Sequence, residues 1–108
     1  MLALALFLST AGAATLHADD WRPWQKVKAT EISWRSRWND AWSDYDIEIR
    51  NGYDYGVRLR FAVRCGKDKD VAFWSLQPGT VASFLEKFPS GGPQARLTLE
   101  IVELERQE

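Results

Sequence analysis

Apolar and polar side chains alternate through two neighbouring stretches of the chain. In the first, Tyr45, Ile47 and Ile49 alternate with Asp46, Glu48 and Arg50. In the second, Val57, Leu59, Phe61, Val63 and Cys65 alternate with Arg58, Arg60, Ala62 and Arg64. A period of two is that of a strand with one buried face. Asn51 and Gly52 open the connection, and Asn-Gly is a strong turn signal. The pattern therefore predicts an antiparallel hairpin over Tyr45–Cys65. Its outward rows would set Asp46 and Glu48 against Arg58, Arg60 and Arg64. Such cross-strand charge pairs contribute roughly 0.2–1 kcal/mol each and help to hold register.

The same reasoning extends along the chain. From Lys28 to Trp38, Thr30, Ile32, Trp34, Ser36 and Trp38 share one face, and Glu31, Ser33, Arg35 and Arg37 share the other. A helix would instead stack Trp34, Trp38 and Trp42 four residues apart. Asn39 and Asp40 interrupt that reading, and the β-enriched Thr, Ile and Trp favour a strand. Asn39 to Asp44 is turn chemistry, with Trp42 inside it. Gly66 to Asp70 is a charged turn, Val71 to Leu76 a strand, and Gln77 to Thr80 a turn with adjacent Pro78 and Gly79. Val81 to Phe88 is a further strand, with Val81, Ser83 and Leu85 on one side and Ala82, Phe84 and Phe88 nearer the other. A Pro- and Gly-rich loop, Pro89 to Pro93, precedes the last strand, Ala95 to Leu104, with Leu97, Leu99 and Ile101 inward. Residues 105–108 read as a polar tail.

About six or seven short strands and no convincing helix predict an all-β fold, a small antiparallel β-sandwich over residues 28–104. Its expected size and layering are immunoglobulin-like and fibronectin-type-III-like. The Cys…Trp…Cys spacing of true immunoglobulin domains is absent.

The N-terminal residues follow a different pattern. Leu2 to Leu8 is a short apolar run, followed by the small residues Ser9 to Ala14. Ala11-Gly12-Ala13 fits a signal-peptidase site, and Ala18 offers a later one. The run is shorter than the roughly 20 apolar residues a membrane span needs. Residues 1–13 therefore read as a signal peptide, although no Lys or Arg precedes the run, and no stable membrane span is expected. The expected address is exported: periplasmic or extracellular. Residues 14–27 read as an extended arm, because Pro23 disfavours helix before it.

Composition narrows the chemistry. The chain has 108 residues and a formal net charge of −1, so no global field points to nucleic acid. It carries one cysteine, Cys65, so no internal disulfide can form; its inward row reads as core. The one histidine, His17, lies beside the cleavage site, which leaves a histidine-based mechanism without a member. Zinc spacing is absent, and Asp40, Asp44, Asp46 and Asp54 match no calcium loop. No catalytic residue, metal or cofactor is expected.

Six tryptophans are the compositional outlier. Trp34, Trp38 and Trp74 read as core or edge packing. Trp21, Trp24, Trp42, Tyr53 and Tyr55 fall in the arm and loops, where such domains usually bind. The expected function is a non-enzymatic exported β-sandwich that binds a protein partner, as a cell-envelope accessory or assembly factor. The alternative is a small secreted carbohydrate-binding module, with a glycan stacked on exposed Trp or Tyr. Contact is expected at the tip, Asn51 to Gly56, together with Trp42.

Overall fold

Two antiparallel sheets face each other in the computed structural model, which describes residues 20–107. The expected leader and its cleavage sites lie outside the described residues. The strands are β1 (Gln25–Lys26), β2 (Ile32–Asn39), β3 (Asp44–Asn51), β4 (Val57–Cys65), β5 (Asp68–Leu76), β6 (Val81–Glu86) and β7 (Leu97–Arg106). One sheet has the order β1-β2-β3-β6 and the other β5-β4-β7. Among the described residues no helix is long and apolar enough to cross a membrane.

Alternation places the core as expected. Ile32, Trp34, Tyr45, Ile47 and Ile49 of the first sheet pack with Val57, Leu59, Phe61, Val63 and Cys65 of the second, closed by Leu76, Phe88 and Leu97. Cys65 is a buried free thiol. At one flank Phe84 of β6 meets Phe61 of β4 (centroids 5.5 Å apart) and Trp74 of β5 (5.9 Å), so the two edge strands β6 and β5 lie over each other.

The predicted hairpin is corrected. β3 and β4 do not pair: β3 lies between β2 and β6, and β4 between β5 and β7. The acidic row meets β2 instead, with Arg35 2.7 Å from Glu48 and Arg37 2.8 Å from Asp46. The basic row meets β7, where Arg64, Arg60 and Arg58 stand 3.4, 3.5 and 3.9 Å from Glu100, Glu103 and Glu105. The physical reason is burial. A hairpin would put both apolar rows on one side of a single sheet, whereas crossing between sheets lets each row cover the other. Arginines on β2 and glutamates on β7 then supply the charge partners.

β7 also runs further than expected, to Arg106, and the Gln107 N–H donates to the Gly56 carbonyl at 2.8 Å. A register shift between Arg60 and Phe61 lets Glu103 and Glu105 stand over the arginines, so Glu105 and Arg106 of the expected tail belong to the strand. β2 begins at Ile32 rather than Lys28. Ahead of it Ala29 adopts φ 64°, and the Thr30 hydroxyl donates to the Val27 carbonyl at 2.8 Å, closing a turn from β1.

In chain-order numbers the strands divide as 1-2-3-6 and 5-4-7. The constant-type immunoglobulin division would be 1-2-5-4 and 3-6-7. The crossing from β3 to β4 is close-packed: a Cβ on Gly52 would lie 2.6 Å from the Glu31 carbonyl oxygen, a space open to glycine alone.

Candidate functional site

The aromatic residues singled out in the sequence occupy three separate places. The arm runs along the β2 edge of the four-stranded sheet, continuing the antiparallel β1–β2 pairing where the Arg22 N–H donates to the Ser36 carbonyl at 2.9 Å. From it, Trp21 and Trp24 reach the outward arginines of β2 and β3. Arg37 and Arg35 stand 4.7 and 4.4 Å from the Trp21 ring centre. Arg35 and Arg50 stand 4.6 and 4.3 Å from that of Trp24. The order Arg37, Trp21, Arg35, Trp24, Arg50 forms a cation–π ladder, in which each contact contributes about 0.5–1 kcal/mol at an exposed site. Both indoles are half-buried, and their faces serve to hold the arm.

Tyr53 and Tyr55 stack on each other, with centroids 5.0 Å apart, and Arg106 lies 4.3 Å from the Tyr55 ring centre. They close the end of the sandwich where β3 passes into β4 and pack against the core. Trp42 differs: 71% of it is exposed, in the turn between β2 and β3. That turn is braced by the Lys87 ammonium, which donates to the Trp42 carbonyl at 3.1 Å. Trp42 and the tyrosines sit beyond opposite ends of the eight-residue β3, roughly 25 Å apart. The structure brings Trp21 together with Trp24, and Tyr53 with Tyr55, but does not gather the five residues into one contact surface.

Near Trp42 the structure shows residues the sequence reading left out. Leu85 there is 65% exposed; Val81, in the same outward row of β6 but opposite Arg50 at its other end, is 45% exposed. Leu85 is the register partner of Asp46, and Glu86 that of Tyr45, so this end of β6 adjoins the Trp42 turn. A shallow groove runs between the arm and β6, lined by Trp21, Arg37, Asp46, Glu48, Ser83 and Leu85 among others. The detectable signal was the alternation of Val81, Ser83 and Leu85, two apolar residues in an outward row.

On the inner side of β6, Glu86 faces Asp70 of β5. Burial, then the hydrogen bond to Asp70 and its charge, push the Glu86 carboxyl up from 4.5 to about 7. The folded state therefore binds this proton more tightly than the unfolded chain does. Its stabilising contribution is full below about pH 4.5 and is lost as pH rises through about 7. Glu86→Gln is neutral throughout and should flatten that part of the stability profile. Allowing for solvent screening, the gain at pH 8 is about 1 kcal/mol, or roughly 4–8 °C in Tm. A thermal melt series from pH 4 to 8 reads it, and parallel profiles for the two proteins would contradict it.

Other polar groups are spent on the fold. The Tyr45 hydroxyl donates to the Gly92 carbonyl at 2.8 Å and accepts from the Gly92 N–H at 2.9 Å, tying down the loop after β6. Burial raises its pKa. The Asp68 carboxylate accepts from the Ser90 hydroxyl at 2.6 Å and from the Ser90 N–H at 2.8 Å, contacts that lower its pKa. Among the described residues no group of three or more His, Cys, Asp or Glu side chains is placed to hold a metal ion. Comparison with protein-family models, with curated proteins and with solved structures returned no match.

Proposed function

We propose that this chain is a non-enzymatic exported β-sandwich that binds a protein partner, as an accessory or assembly factor of the cell envelope. The binding surface is the outer face of the four-stranded sheet, at the end where Trp42 and Leu85 stand. The observation that carries the reading is the exposure of two large apolar side chains on adjoining elements, Trp42 at 71% and Leu85 at 65%, the second of which lines a groove. Isolated exposed apolar residues are ordinary, but an exposed Trp beside an apolar edge is the composition of an interface centre. Export is read from the leader-like residues 1–13.

The test places a photo-cross-linking amino acid at position 42 of the full chain in its native host, with position 53 as the control. A discrete protein adduct at 42, absent at 53 and lost on Leu85→Asp, is the expected result. The glycan alternative predicts something else: a change in Trp fluorescence across a glycan panel, abolished by Trp42→Ala, with no protein adduct. That outcome would replace the reading.

A further inference from the structure

β6 ends its sheet, and among the described residues no strand pairs with its far side. Every second residue of such a strand turns its N–H and C=O outward, as a template for another strand. Edge strands are commonly blunted by Lys, Pro or a bulge. Val81–Glu86 contains no Lys or Pro, and its register with β3 is unbroken from Arg50 to Tyr45. The neighbouring edge, β5, carries Lys69, and its exposed Phe73 lies beneath Arg58 and Arg60. β6 is the more open of the two, with Val81 and Leu85 exposed along its outer row.

What guards β6 is charge. Glu86 ends its inner row and faces Asp70 across the seam of the sandwich. Neither carboxyl forms an ion pair among the described residues. Two carboxyls facing each other without a cation repel an acidic strand and favour a basic one.

We propose that β6 takes the partner as an added antiparallel strand, apolar where it faces Val81 and Leu85 and carrying Lys or Arg opposite Glu86. This rests on the protein-binding reading above and names the partner's chemistry. A second copy of the chain fits less well. Two β6 strands with matching faces, set so that Val81 meets Leu85, would place Thr80 rather than a cation against Glu86. Backbone pairing supplies the affinity of such strand addition, and alternate side chains supply its specificity.

The experiment titrates the uniformly 15N-labelled protein with the N-acetylated, C-amidated peptide KVTTFV, whose Lys falls opposite Glu86 and whose valines fall opposite Leu85 and Val81. Amide shifts concentrated in Val81–Glu86 are expected. Changing the peptide Lys to Glu should weaken binding about tenfold or more. N-methylation of the peptide backbone should abolish it. Glu86→Gln combined with Asp70→Asn should remove the preference for Lys over Glu. Shifts that map away from β6, no response at β6, or equal binding of the Lys and Glu peptides would overturn the proposal. So would concentration-dependent dimerisation of the free chain with β6 amides protected, which would make a second copy the occupant. A protein adduct at position 42 with no β6 response would overturn strand addition while leaving the protein-binding reading intact.

Discussion

Asn51→Ala is expected to cost about 3 kcal/mol of folding stability, seen as a lower urea midpoint with an unchanged slope. Asn51 is fully buried, at 0% exposure, where β3 crosses to the second sheet. Its side-chain amide donates to the carbonyls of Tyr55 (2.9 Å), Leu76 (3.2 Å) and Gln77 (3.3 Å). Its side-chain oxygen accepts from the Tyr53 N–H at 2.9 Å. Its backbone bonds the turn after β5 as well, donating to Thr80 and accepting from Gly79. One residue thus joins the β3–β4 crossing to the β5–β6 turn. Alanine leaves buried carbonyls and an N–H without partners, and each such group costs about 1–3 kcal/mol. A loss below about 1 kcal/mol would contradict the account. In a domain whose total stability is about 5–15 kcal/mol, the expected loss is a large share.

Asn51 also shows why part of the fold was legible in the sequence and part was not. Alternation is a local property of the pleat, so the inward rows of β3 and β4 could be read directly, and Ile47, Ile49, Leu59, Phe61 and Val63 are all buried. Pairing is not local. Asp46 and Glu48 could satisfy their charge with Arg58 and Arg60 or with Arg37 and Arg35, and nothing within either strand chooses. The choice came from the need of two apolar rows to cover each other. Asn51-Gly52 likewise reads as a hairpin tip, because the partner that makes Asn51 a hub, Leu76, lies 25 residues away.

The candidate site divides in the same way. Trp42 could be found because Asn39, Asp40 and Ser43 mark a turn around it. Trp21 and Trp24 could be placed on an arm, but their engagement by Arg35, Arg37 and Arg50 requires knowing that the arm runs along the β2 edge. The Glu86–Asp70 pair joins strands of different sheets. No sequence period relates the two residues.

Phe61→Ala is expected to have the largest effect, about 3–5 kcal/mol, because it removes a fully buried ring and leaves a cavity between the sheets. Phe61 lies on the central strand of its sheet, beside the register shift with β7. Its ring meets Phe84, which in turn meets Trp74. Phe84 anchors β6, which pairs with β3 on one side only. The cavity therefore opens beneath a strand whose backbone is paired on one side only. Hydrogen exchange of the Val81–Glu86 amides should accelerate more than that of Asp44–Asn51, whose strand is paired on both sides. Phe61→Leu should show the same pattern at smaller amplitude, about 1 kcal/mol, and serves where the alanine variant fails to fold. Uniform acceleration across both strands would mean that Phe61 supports the whole core equally. Acceleration confined to β6 would tie the open edge, and the strand it is proposed to receive, to the packing of one ring.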